Sequence, residues 1–163
     1  MFDLINGIPV HPLVVHAIVV LLPLAMLGTV AIAVRPRWRV TYGPLVVGSA
    51  LVATILCPVA TSSGEALEER VGEPEEHAEL GESLVWFAVA LVVLSAALVY
   101  LQRRADRAAA ADASAASSRS TLLTVVAVLA VVAGLATTVQ VYRVGESGAK
   151  AVWEDAVSSP SEE

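Results

Sequence analysis

Polar residues along this chain come in blocks, not at the intervals of a soluble helix or strand. Four runs, Leu13–Val34, Val40–Thr61, Ser83–Leu101 and Thr121–Tyr142, contain no Asp, Glu, Lys or Arg. Each is close to the ~20 residues a helix needs to cross a ~30 Å hydrocarbon layer. The pattern therefore predicts an all-α fold, a four-helix transmembrane bundle in one domain over residues 1–153. The first run is not a cleavable signal peptide, because no basic segment precedes it and it is too long. Pro12 suits the first turn of the first span, and Pro23 and Pro58 should bend the spans that hold them. Gly72 reads as a stop for an outer extension Glu65–Val71, and Glu73-Pro74 as the cap and first turn before the third span. Ser49 with Ala53 and Ala130 with Gly134 mark faces suited to close helix approach. The Ala-, Val- and Gly-rich fourth span is expected at the centre. Residues 105–120 read as a low-complexity loop on the cytoplasmic side, residues 154–163 as a polar mobile tail, and no strong internal repeat stands out.

Composition points to the same membrane reading. Hydrophobic residues are 56% of the 163, charged residues only 16%, and mean hydropathy is +0.73. Soluble domains carry about 25% charge. The single Cys57 excludes a disulfide framework or a paired-cysteine redox motif and reads as a small packed residue. The net charge of −6 hides a segregation. Residues 61–82 hold Glu65, Glu68, Glu69, Glu73, Glu75, Glu76, Glu79 and Glu82 against Arg70 alone. Arg35, Arg37 and Arg39 lie between spans one and two, and Arg103, Arg104, Arg107 and Arg119 between spans three and four. Such short basic clusters beside apolar runs are no nucleic-acid footprint. By the positive-inside rule both basic loops are cytoplasmic, so both termini and the acidic connector are extracytoplasmic. Trp38, Tyr42 and Tyr100 then form an inner aromatic belt, and Trp86, Tyr142 and Trp153 an outer one.

Counting about 1.5 Å per residue outward from the inner boundaries places His11, Glu65, His77 and Glu146 at one height. Each lies roughly four or five residues, about 6–8 Å, beyond the outer edge of the hydrocarbon. His16 sits just beneath. Two imidazoles and two carboxylates suit a divalent transition metal such as Zn, Fe, Mn or Cu(II), and helix bundles build such sites from facing helices. His11, Glu65, His77 and Glu146 are therefore the candidate metal ligands, with His16 as a further cofactor-binding group. An ionisable residue inside a span usually faces the bundle interior, so His16 is expected to point inward. Residues five apart on a helix point ~140° apart, so His11 and His16 share one ion only if the helix start is irregular. Imidazole ligates in its neutral form, so binding should weaken as pH falls below ~6. Each residue also has a plainer role: His11 as a helix cap, His77 as a solvated residue among acids, Glu65 as a surface carboxylate, Glu146 as part of a loose turn.

The opening Ile5-Asn6-Gly7-Ile8-Pro9-Val10-His11-Pro12-Leu13-Val14-Val15-His16, running on into Val19-Val20-Leu21-Leu22-Pro23-Leu24, resembles that of domain-of-unknown-function family 2231, a large family of bacterial integral membrane proteins. Pro58-Val59-Ala60-Thr61 with Gly64-Glu65 and Leu67-Glu68, then Glu76-His77-Ala78-Glu79-Leu80-Gly81, and Gly145-Glu146-Ser147-Gly148 through Trp153 also fit. The resemblance implies a compact four-helix domain in the bacterial cell membrane. Some relatives carry it fused to a Rieske-type iron–sulfur domain, which implies a redox membrane or iron–sulfur partner. Many relatives show His where this chain has Glu146, a departure that counts against an all-imidazole or bis-histidine haem site.

Three functions remain. One is a metal-binding, redox-linked membrane module. The second is a haem b-binding electron-transfer subunit, which needs axial imidazoles beside an apolar slot. The third is a non-catalytic structural or assembly subunit. With no P-loop, GxSxG, HExxH or paired-cysteine motif, nothing marks a stand-alone enzyme. Transport has little support, since the two halves show no clear match.

Overall fold

A computed structural model of the chain describes residues 4–5, 8–71, 75–111 and 117–158. It is the expected four-helix architecture. Helix α1 spans Val10–Val34, α2 Arg39–Val71, α3 Glu75–Ala111 and α4 Ser117–Ser158. A two-residue strand pair, β1 Leu4–Ile5 and β2 Ile8–Pro9, precedes α1 and was not foreseen. Pro12 lies in the first turn of α1. That helix ends at Arg35, whose φ of −118° and ψ of 88° are extended, because a residue before a proline is pushed out of the helical region. Pro36–Trp38 then make one 3₁₀ turn into α2. All four helices are long and apolar enough to cross a membrane. At 33, 37 and 42 residues, α2, α3 and α4 overshoot the ~20 required. The Ala-rich residues 105–111 continue α3, as befits the strongest helix former, and α4 runs past Trp153 to Ser158. The expected stop at Gly72 and cap at Glu73-Pro74 lie outside the described residues.

The helices form a ring in which each packs on its neighbours in sequence and α4 closes against α1, while the diagonal α1–α3 pair barely touches. Large apolar side chains such as Val20, Leu24, Leu27, Leu45 and Ile55 face outward, as a lipid-facing surface requires. The fourth span is not central. Only 22% of its apolar window is buried, against 33% for α3, and Val125, Val128, Val132, Leu135 and Val139 all face out. Its small residues serve one face: Ala130 and Gly134 are buried, and a Cβ at Gly134 would lie 2.9 Å from Met26 Cγ.

Burial reveals a repeat that residue identity conceals. On α1, Ile18, Leu22, Ala25, Thr29 and Ile32 are buried; on α3, at one constant displacement, Leu84, Ala88, Leu91, Ser95 and Leu98 are buried. The same displacement carries His11 to His77. On α2, Gly43, Val46, Ala50, Ala53 and Cys57 are buried; on α4, at a second constant displacement, so are Ala127, Ala130, Gly134, Thr137 and Val141. Thr29 and Ser95 correspond even in their bonds, each donating its hydroxyl to the carbonyl four residues back. The fold is thus two helical hairpins, α1–α2 and α3–α4, each forming one half of the ring, with corresponding helices on opposite sides.

Polar groups inside the bundle are satisfied. Gln140 donates to Leu80 O at 3.0 Å and Ser83 Oγ at 2.8 Å, and Thr137 donates to Phe87 O at 3.1 Å, so hydrogen bonds link α4 to α3. The Cys57 thiol is buried and bonds Ala53 O. At the opposite end from His11, Arg39 is buried instead of lying in a loop. It donates to Ile32 O and Ala33 O, two carbonyls left open where α1 stops, and to Gln102 Oε1 on α3. Among the described residues no buried side-chain nitrogen or oxygen lacks a partner.

Candidate functional site

The start of α1, the later part of α2, the start of α3 and the later part of α4 meet at the acidic end around a cavity of about 100 Å3. Its mouth is formed by His11, Glu65, His77 and Glu82, and Ile18, Cys57, Leu84 and Val141 lie deeper. That volume holds a few waters or a small ion with its water shell.

His11 and His77 come from diagonal helices and meet edge to face, with ring centres 6.3 Å apart and planes at 81°. Each ring is held by the other helix of its own hairpin. His11 Nδ1 lies 2.8 Å from Ala60 O. His77 Nδ1 lies 3.2 Å from Val144 O and 3.1 Å from Ser147 Oγ. A carbonyl can only accept, so in both rings Nδ1 carries the proton and donates it. Ser147 and Ser63 send their own hydroxyl protons to Val144 O and Ala60 O.

The two supports follow one design. Ala60, Ser63 and Gly64 on α2 correspond to Val144, Ser147 and Gly148 on α4, as carbonyl, hydroxyl and clearance one helical turn on. A Cβ at Gly64 would sit 3.1 Å from both Cε1 and Nδ1 of His11. One at Gly148 would sit 2.9 Å from Cε1 and 3.2 Å from Nδ1 of His77. Glycine is what lets the Nδ1–Cε1 edge of each imidazole approach the neighbouring helix and reach its backbone.

Of the residues picked out in the sequence, His11, His77 and Glu65 gather round this cavity. Glu146 does not. It is exposed and pairs with Lys150 one turn along, at 2.9 Å. His16 corrects an expectation. It points away from the bundle, is exposed, and satisfies Nδ1 on the carbonyl of Pro12 in its own helix. The ~140° turn from His11 to His16 sends one inward and the other outward. Among the described residues no three of His, Cys, Asp and Glu come close enough to hold one ion as they stand. The sequence reading missed Gly64, Gly148 and the serine beside each. Ser-Gly in both hairpins was the available signal.

The family model described as "Predicted membrane protein (DUF2231)" matches residues 7–160. The chain belongs to this family. The match takes in all four helices and every residue of the cavity mouth. No curated protein and no solved structure matches the chain. What the family membership and the four apolar helices establish together is a multi-pass membrane protein in contact with the lipid bilayer.

Proposed function

We propose that this DUF2231 protein is a membrane-embedded metal-binding module that holds one divalent transition-metal ion at its acidic mouth. The observation that carries the reading is the meeting of His11 and His77. Two imidazoles sharing an ion at ~2 Å each place their ring centres about 5–6 Å apart, and the 6.3 Å seen here is close to that. A backbone carbonyl on the far ring nitrogen is the usual support of a ligating histidine. Glu65, at the rim, is within reach as a third ligand once its exposed side chain turns inward, and water completes the shell. The surrounding carboxylates raise the local concentration of cations. Iron or copper at this position would also carry an electron, and in that form the module has a place for a redox or iron–sulfur partner. The mouth lies on the extracytoplasmic face, with both termini.

Elemental analysis of the full chain, purified in mild detergent, is the test. Near-stoichiometric metal is expected, lost in His11→Ala and His77→Ala variants that still elute as folded protein. Glu146→Ala should keep it, since that carboxylate faces Lys150 and not the cavity. A Soret band would replace the ion by haem b. Neither metal nor haem would leave a structural or assembly subunit.

A further inference from the structure

A second cavity, of about 150 Å3, lies at the basic end between α3 and α4, lined by Leu101, Arg104, Ala105, Leu122 and Leu123. The repeat of the two hairpins explains its presence. In the first hairpin the corresponding place is filled by Arg39, whose guanidinium lies on Ile32 O and Ala33 O. In the second hairpin the constant displacement that carries Gly43 to Ala127 carries Arg39 to Leu123. Leucine reaches no carbonyl, and α3 runs on to Ala111 instead of ending there. A crevice with apolar walls remains, with Arg104 at its rim.

Arg104 is exposed, and no hydrogen bond or ion pair engages it among the described residues. The nearest acid on its helix, Asp106, accepts from the Gln102 amide at 2.8 Å. Arg103 and Arg107 flank it, exposed as well. Tyr100, also exposed, sits one turn before it at the depth where aromatic residues mark the membrane surface.

We propose that this crevice is a binding site for an anionic phospholipid, independent of the histidine mouth. The guanidinium of Arg104 takes the phosphodiester, which its planar fork matches with two parallel hydrogen bonds. The first methylenes of one acyl chain lie against Leu101, Leu122 and Leu123. An apolar space of ~150 Å3 takes a guest about the size of benzene, which suits the top of a chain and leaves its remainder in the bilayer. Basic crevices between spans at a membrane surface are where anionic headgroups bind. Free phosphate would satisfy Arg104 but leave the leucines facing water, so the lipid is the occupant.

The test is lipid retention by the full chain. Protein reconstituted in phosphatidylcholine with a minor share of phosphatidylglycerol is extracted into mild detergent, and bound lipid is counted by native mass spectrometry. About one phosphatidylglycerol per chain should be retained, enriched at least several-fold over its share in the bilayer. Arg104→Gln and Leu123→Ser should each reduce that enrichment several-fold, and Arg37→Gln, in the other basic loop, should leave it unchanged. Excess inorganic phosphate should not displace the lipid. Equal retention of the two lipids, an equal effect of Arg37→Gln and Arg104→Gln, or complete displacement by phosphate would each overturn the proposal.

Discussion

At the scale of single residues, the mouth depends on the absence of a side chain as much as on the histidines. Gly148 leaves room for the His77 ring, and a methyl group there would lie 2.9 Å from Cε1. The ring is rigid and anchored on two oxygens of α4, so it must tilt off them. Losing an outer partner of a ligating histidine typically lowers metal affinity 10–100-fold. Gly148→Ala is therefore expected to weaken metal binding by at least about tenfold while the protein still folds. Gly64→Ala, where the closest approach is 3.1 Å, should have the smaller effect. Metal titration of both variants in detergent checks the order. Equal affinities for wild type and Gly148→Ala would mean that His77 does not bind in the position seen here.

Between elements, the hydrogen bonds and the close packing contribute unequally. Gln140 ties α4 to α3 through Leu80 O and Ser83 Oγ. Ser83 keeps its own bond to Leu80 O when the amide is gone, so Gln140→Leu orphans no buried group. Interhelical hydrogen bonds in membranes average ~0.6 kcal/mol and reach ~1.7, and a loss in that range is expected. Gly43 is different. A Cβ there would run into Val99 Cγ2, and a β-branched valine on a helix has little rotamer freedom to yield. Gly43→Ala should cost about 1–3 kcal/mol as overpacking. Unfolding of the two variants in lipid, by steric trapping, should rank Gly43→Ala as the more damaging. The opposite order would show that the polar bonds between α4 and α3 contribute more than the close fit of α2 on α3.

For the whole molecule, the four helices were legible because a bilayer imposes one requirement, long runs free of charge, and residues 13–34, 40–61, 83–101 and 121–142 meet it without exception. Rotation about each helix was not legible. In a water-soluble bundle the apolar stripe marks the inside, but here lipid and core are equally apolar, so Val125 and Ala127 cannot be told apart by hydropathy. For that reason hydropathy does not show that His16 faces outward, that α4 lies no deeper than its neighbours, or that the two hairpins repeat one burial pattern. Depth survived, because rise per residue is fixed, and it brought His11, His77 and Glu65 to one level. Charge was legible in the same way, and it predicts an orientation. Arg35, Arg37, Arg39, Arg103, Arg104, Arg107 and Arg119 all belong to the end opposite the histidines, and only Arg70, Arg143 and Lys150 to the histidine end. Acids contribute little to insertion, so the difference in bases sets the direction. Even Arg39, buried against the end of α1, lies at the basic end. The basic end is therefore expected to be cytoplasmic. An alkaline phosphatase reporter, active only outside the cytoplasm, should be active when fused after Glu79 and silent after Trp38 or Arg107. A fluorescent reporter that matures only inside should give the reverse. Activity of the phosphatase after Arg107 and its silence after Glu79 would invert the molecule and turn the histidine mouth to the cytoplasm, where glutathione and other thiols would compete for the same ion.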